Sequence, residues 1–277
     1  MSENNEKVLE DLKSFSKSLR KAILDTALEG GSSSSHFGGA LSIVEIVSIL
    51  FHYKMKINLK DIADTDNNDQ FILSKGHACL AYYAALNKIG KISNEEMKTF
   101  EKDNSNLAGH PVKNQKIGID FSNGSLGMGL SIGIGISIAN KRKKNNLKTF
   151  VILGDGECNE GSVWEAAMSA PKFELDNLIA IVDKNNFQQT GSNQEIMDLK
   201  NLKEKWSSFG WDATECDGHN LKELKNYFDD IKVNQKPKIL IANTIKGKGF
   251  SFSENNNAWH HSIMTKTIYE KALEEIK

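Results

Sequence analysis

The sequence predicts an α/β fold, a parallel β-sheet covered by helices on both faces. Three observations carry this reading. Two short continuous apolar runs, Thr149–Leu153 and Leu178–Val182, each stop at a polar tripeptide, Gly154-Asp155-Gly156 and Asp183-Lys184-Asn185. Between them Val163–Ala170 has helical spacing, so strand, helix and strand follow within about thirty residues, a βαβ unit whose strands must be parallel. Further strands at Asp212–Cys216 and Lys238–Asn243, with helices between them and at the C-terminus, continue the alternation.

The remaining elements follow in chain order. Apolar positions at helical spacing run through Val8–Leu28 and Leu41–Phe51. A short apolar run, Gln70–Ser74, reads as a strand ending at Lys75-Gly76-His77. Helical patterns return at Ala78–Ile89 and at Asn94–Phe100, the latter behind a Ser93 cap with Glu96 three residues on. The run Gly127–Gly135 follows no strand and precedes no acidic residue at dinucleotide spacing, so it is not a Rossmann fingerprint, and no GxxxxGK[ST] occurs. Its small residues suit close helix packing. The whole of 1–277 reads as one domain.

Composition narrows the function. The chain has 277 residues, 39% hydrophobic and 26% charged, which is globular. Thirty-five basic residues face 36 acidic ones, for a net charge of −1, which excludes a broadly basic nucleic-acid binder. Only Arg20 and Arg142 are arginines, so guanidinium forks for a substrate phosphate are scarce. Cys79, Cys158 and Cys216 are far apart and form no CxxC, as expected of thiols in a reducing compartment. Met1–Lys21 lacks an apolar core for a signal peptide, and Phe121–Asn140, the longest uncharged stretch, is too polar and glycine-rich to span a membrane. A cytoplasmic protein is expected.

In open parallel sheets, ligands bind at the carboxyl ends of the strands. One βαβ unit separates Asp155 from Asn185, so both oxygens can face a common point on that edge. A carboxylate and an amide oxygen are hard ligands that suit Mg²⁺ or Ca²⁺ shared with a phosphate. Taken alone, Gly-Asp-Gly is better explained as a polar turn after a strand; the matched asparagine at the next strand end shifts the reading toward a ligand.

Gly154-Asp155-Gly156 followed by Asn185-Asn186 resembles the thiamine-diphosphate motif. The fuller text, GDGECNEGSVWEAAMSA and LDNLIAIVDKNNFQQTG, resembles transketolases in particular. SSSSHFGGALS, LSKGHAC, GHP, GSLGMGL, WDATECDGH and TIKGKGFSF extend the likeness from about Ala22 to His260. The resemblance implies a thiamine-diphosphate-binding fold, with Mg²⁺ (or Ca²⁺) held by Asp155, Asn185 and the carbonyl of Phe187. It implies contacts of Gly154 and Gly156 with the diphosphate, and of Gly124, Ser125 and Leu126 with the aminopyrimidine. His36, His77, His110 and His260 would surround the thiazolium, His77 and His260 also touching cofactor. Imidazoles there can donate to a developing oxyanion and move protons near neutral pH. Glu160 matches a glutamate of a subunit-interface proton network, although a glutamate at a helix N-terminus needs no such role. His52 matches nothing, His219 lies in a family-like turn without a catalytic part, and His261 is a neighbour of no assigned role. Ser35 and His261 stand where the family usually has glycine.

Transketolases move a two-carbon ketol unit from a ketose to an aldose, and carry a pyrimidine-binding and a C-terminal domain that nothing here matches. The resemblance therefore implies the N-terminal subunit of a split transketolase. Its partner would be a C-terminal subunit supplying the catalytic glutamate, in an α2β2 heterotetramer acting on sugar phosphates, with no nucleic acid and no membrane. Rival readings are a deoxyxylulose-phosphate synthase-like or 2-oxo acid dehydrogenase α-like subunit, or a non-catalytic scaffold.

Overall fold

In the computed structural model, which describes residues 3–276, five parallel strands form one sheet in the order β1-β2-β3-β5-β4. The long helix α1 (Glu3–Glu29) leads to α2 (Phe37–Leu41), α3 (Val44–Ile49) and strand β1 (Gln70–Leu73). Helices α4 (Cys79–Lys88), α5 (Asn94–Met97) and α6 (Gly129–Lys143) precede β2 (Thr149–Gly154), α7 (Gly161–Lys172) and β3 (Leu178–Lys184). Then come α8 (Asn193–Ile196), α9 (Leu202–Ser208), β4 (Asp212–Asp217), α10 (Leu221–Asp229), β5 (Lys238–Asn243) and α11 (Lys266–Glu275).

The strands that read as continuous apolar runs are covered on both faces, because alternate side chains enter different cores. Phe150, Ile152, Ile179, Ile181 and Leu240 join the core under α1, α3 and α4. Val151, Leu153, Leu178, Ala180, Ile239 and Ile241 join the core under α6, α7 and α9. The edge strand β4 is only partly buried and carries Asp212, Glu215 and Asp217, charges that oppose edge-to-edge pairing. Every predicted strand is present, and the expected cap of α5 forms, with Glu96 N donating to Ser93 Oγ at 3.0 Å.

Two helices differ from expectation. The stretch Leu41–Phe51 is split at Ser42, which donates to Asp183 Oδ2 at 2.6 Å with Gly39 O 3.0 Å away, interrupting the chain between α2 and α3. The helix expected over Asn94–Phe100 ends at Met97, and Glu101 just beyond it takes φ +55°. Among the described residues no helix is long and apolar enough to cross a membrane.

Candidate functional site

All five strands deliver polar residues to the carboxyl edge of the sheet: Ser74-Lys75 after β1, Asp155 after β2, Asn185 after β3, Thr244 to Lys246 after β5 and His219 after β4. Asp155 is buried; its Oδ1 accepts from Gly156 N at 2.8 Å and its Oδ2 from Asn186 N at 2.6 Å. The second bond bridges the ends of β2 and β3, and Asn186 meets it at φ +65°. Asn185 donates to Asp183 Oδ2 at 2.8 Å while its Oδ1 accepts from Phe187 N at 3.0 Å. The structure thus brings Asp155, Gly156, Asn185 and Phe187 together.

Asp183, fully buried, is the electrostatic anchor. Its carboxylate accepts from Lys75 Nζ at 2.5 Å, Ser42 Oγ, Asn185 Nδ2 and Thr244 Oγ1. Burial opposes its ionisation, but the Lys75 ammonium and these hydrogen bonds prevail and hold its carboxyl below the usual range. Asp155 has backbone hydrogen bonds from Gly156 and Asn186 but no ammonium in contact among the described residues, and these bonds do not prevail. Desolvation and the neighbouring Asp183 charge push it up to about 6.

The histidines form one cluster around His36. Its ring lies 5.4 Å from His77, 5.5 Å from His110, 5.4 Å from His260 and 4.3 Å from His261, centroid to centroid. Glycines make the approach possible. A Cβ on Gly38 would sit 2.9 Å from Trp259 O, and one on Gly39 would sit 3.2 Å from the His77 ring. Lys246, also buried, donates from Nζ to Gln188 O at 3.0 Å and Asn257 Oδ1 at 2.8 Å, and lies 2.8 Å from His260 Nδ1. Desolvation and Lys75 lower its pKa to about 8. Desolvation first, then neighbouring cations and histidines, lower His36 to about 4 and His260 to about 3, and hold His77 well down. These imidazoles are neutral at pH 7, able to donate and accept.

Glu157 ties the turn after β2 to the rest of the edge. Its Oε1 accepts from Ser74 Oγ and from Gly127 N at 2.8 Å, its Oε2 from Gly154 N at 3.0 Å. The turn Gly124-Ser125-Leu126 stands exposed beside His110, close to Gly76, where a Cβ would meet Gly124 N at 3.0 Å. Glu160 is exposed at the N-cap of α7 and makes no capping bond, so its carboxylate is left free of helix duty. His219 Nε2 accepts from Ile245 N at 2.8 Å, so Nδ1 carries the proton and donates to Glu45 Oε2 at 2.9 Å, a structural link. His52 stacks on Phe15, away from the cluster.

Sequence reasoning missed Lys75, Asp183, Lys246, Glu157 and His261. Lys75 and Lys246 stand inside LSKGHAC and TIKGKGFSF, so their signal was the segment itself. Asp183 ends the apolar run of β3, and a charge in a fully covered strand is a signal by itself.

The residues present suit a cation and a diphosphate. Among the described residues no ammonium contacts buried Asp155, Lys75 being engaged by Asp183 and Lys246 by Gln188 O, Asn257 and His260, and beside it Asn185 and Asn193 offer amide oxygens, Asn193 Oδ1 being buried without a partner. One carboxylate with amide oxygens is a donor set for a hard cation. Among the described residues no three His, Cys, Asp or Glu side chains form a metal cluster, so further ligands would be backbone, water or phosphate oxygens. Lys75 and Lys246 place two buried cations on the same edge, complementary to an anionic group.

Comparison with known proteins agrees with this geometry. Residues 14–272 match the family described as transketolase, thiamine diphosphate binding domain. The chain is 38% identical over 269 residues to one of the subunits of the apulose-4-phosphate transketolase of Actinobacillus succinogenes, covering 97% of this chain and 96% of that one. It is 38% identical to a 6-deoxy-6-sulfo-D-fructose transketolase subunit of a Clostridium species, over 96% of each. Human transketolase is 35% identical over 97% of this chain but only 42% of its own length. Transketolase from Leishmania mexicana superposes with a TM-score of 0.88 at 25% identity over 96% of this chain. This chain spans 41% of that structure, about two-fifths of a solved transketolase. With a family match over nearly its whole length, and the motif residues gathered on one sheet edge, the chain belongs to the transketolase family, as its thiamine diphosphate binding domain.

Proposed function

We propose that the chain is the N-terminal subunit of a cytoplasmic, thiamine-diphosphate- and magnesium-dependent transketolase, transferring a two-carbon ketol unit from a ketose to an aldose. The single observation that carries this is the convergence of Asp155, Asn185 and the four motif histidines on one carboxyl sheet edge. The chain acts as one domain. A second subunit supplies the catalytic glutamate and the aminopyrimidine site, in an α2β2 heterotetramer. Subunit-type relatives of the same length support this, as do exposed apolar side chains at Leu126, Met128, Met168, Phe173 and Met197, which a partner would cover.

Thiamine diphosphate, when bound, supplies the carbon centre on which a carbon–carbon bond next to a ketose carbonyl can break and re-form. Asp155, Asn185 and the Phe187 carbonyl hold the cation, and Gly154 and Gly156 let the diphosphate approach the backbone. His77 and His260 face the cofactor, and Gly124, Ser125 and Leu126 the aminopyrimidine. His36, His110 and His260, neutral at pH 7, donate to the carbonyl oxygen as it gains charge and carry protons to and from the sugar hydroxyls. Glu160 joins the proton network at the subunit interface.

The substrate is a polyhydroxy ketose with an anionic terminus, a class to which the sugars in the relatives' names belong. Its terminus is read by the partner. Here Arg20 pairs with Glu45 at 2.6 Å and Arg142 lies in the last turn of α6.

The test is transfer by the purified complex of this chain with its partner, Mg²⁺ and thiamine diphosphate present. Ketol transfer from a ketose phosphate to an aldose phosphate, lost in Asp155→Ala, is the expected result. Pyruvate decarboxylation without ketol transfer would place the chain with the other thiamine-diphosphate enzymes, and a complex unaffected by Asp155→Ala would make it a scaffold.

A further inference from the structure

The histidine cluster has an inner and an outer side. His77 and His260 lie beside the buried lysines Lys75 and Lys246, while His261, its ring 4.3 Å from that of His36, is exposed. The ring contact with His36 puts His261 within reach of the solvent-side part of a substrate whose reacting carbons meet His77 and His260.

The structure holds His261 in place. Ser34 Oγ, whose own proton goes to Ser33 O at 2.5 Å, lies 3.0 Å from Nε2 and 3.2 Å from Nδ1 of His261, where it can accept from one ring N–H. Ser34 takes φ +62°, a conformation costly for serine, and the next residue explains why it is kept. Ser35 and Ser262 form an antiparallel bridge, N to O at 2.9 and 3.0 Å, which clamps the segment bearing His36 to the segment bearing His261. Ser35 Oγ is buried there with no partner. Glu101 completes the rim. Its backbone, at φ +55°, donates to Leu107 O at 2.9 Å, and its Oε1 packs so tightly on Gly109 that a Cβ there would collide with it. Gly109 precedes His110, so a carboxylate stands at the mouth of the same cluster. Partial burial raises Glu101 and the charge of His261 counteracts it.

We propose that His261, positioned by Ser34, is a specificity-determining residue that hydrogen-bonds the hydroxyl chain of the sugar beyond the bond being cleaved, with Glu101 accepting from the same chain. The inference rests on the transketolase reading of the site. An imidazole and a carboxylate facing a polyol discriminate strongly, because a ligand lacking the hydroxyls leaves both groups without partners.

The experiment compares two donors in the complex of this chain with its partner. Fructose 6-phosphate carries the ketol unit with a hydroxyl tail; hydroxypyruvate carries the same unit without one. The readout is the ratio of their kcat/KM values in the parent, His261→Gly, His261→Asn, Ser34→Ala and Glu101→Gln, each first checked by thermal melting. His261→Gly is expected to lower the ratio of tailed to tail-less donor about tenfold, chiefly through KM of the tailed donor. His261→Asn, which keeps a hydrogen-bonding group, should recover part of it, and Ser34→Ala and Glu101→Gln should each lower it less. Equal losses for both donors, or a ratio unchanged or raised in His261→Gly, overturn the inference alone. A parent complex silent with both donors overturns the transketolase reading, and the inference with it. Should His261→Gly fail to fold, His261→Ala against His261→Asn makes the same comparison.

Discussion

His260 Nδ1 sits 2.8 Å from the Lys246 ammonium, which has no lone pair to offer, so Nδ1 accepts and Nε2 carries the proton. The pair therefore fixes one tautomer of the ring. The same crowding sets a pH dependence. His36 and His260 titrate at about 4 and about 3 in the fold, below the ordinary value near 6.5, because burial and the neighbouring cations disfavour their charged forms. Rings with depressed folded values bind protons first in the unfolded chain. Their contribution to stability is whole above pH ~6.5 and is lost as pH falls through about 4 for His36 and about 3 for His260. Thermal melting across that window should show a falling limb, and His36→Asn or His260→Asn should make it shallower. A limb unchanged in both variants would mean that the rings are already protonated in the folded chain.

At the scale of elements, the turn after β2 is joined to two distant parts of the chain by one side chain. Glu157 accepts from Ser74, Gly127 and Gly154, which come from the end of β1, the turn before α6 and β2 itself. Glu157→Ala leaves those three donors without acceptors in a dry position. A loss of about 3 kcal/mol in urea unfolding at pH 7 is expected. Glu157→Gln, which turns an amide N–H toward an N–H or O–H donor, should cost about 1–2 kcal/mol. Equal stabilities for parent and Glu157→Ala would remove Glu157 from this role. The strands and the GDG turn were legible because they are local: apolar runs of five or six residues ending in polar turns. Glu157 was not, since its partners lie 83 and 30 residues away and nothing near it in sequence distinguishes it from an ordinary turn carboxylate. The break between α2 and α3 was hidden for the same reason, Ser42 being turned by Asp183, 141 residues on. The histidines were found through their motifs, whereas His261 has meaning only once the Ser35–Ser262 bridge sets it against His36.

For the molecule as a whole, one edge of the sheet carries a buried carboxylate, Asp155, that no ammonium contacts among the described residues, and this opposes folding until a cation arrives. Asp155 titrates at about 6 in the fold against ~3.9 in an unfolded chain, so its ionised form is disfavoured by folding. A raised carboxyl contributes stability that is whole below pH ~3.9 and is lost as pH rises through about 6. Asp155→Asn removes that loss. The metal-free variant should melt above the metal-free parent at pH 8, and the gap should close below pH ~4, where both side chains are neutral. Ligand linkage runs in the opposite sense. With Mg²⁺ and thiamine diphosphate at about 100 times their dissociation constant, the parent complex should gain about 2.7 kcal/mol, roughly 5 °C of melting temperature, and chelation should remove it. Asp155→Asn should gain almost nothing from the same addition. One substitution that raises the metal-free melting temperature and abolishes the ligand-induced rise separates a binding carboxylate from a structural one, whose removal would lower the first. A variant that melts lower without metal, or still responds fully to Mg²⁺ and cofactor, would mean that the cation is held elsewhere than at the ends of β2 and β3.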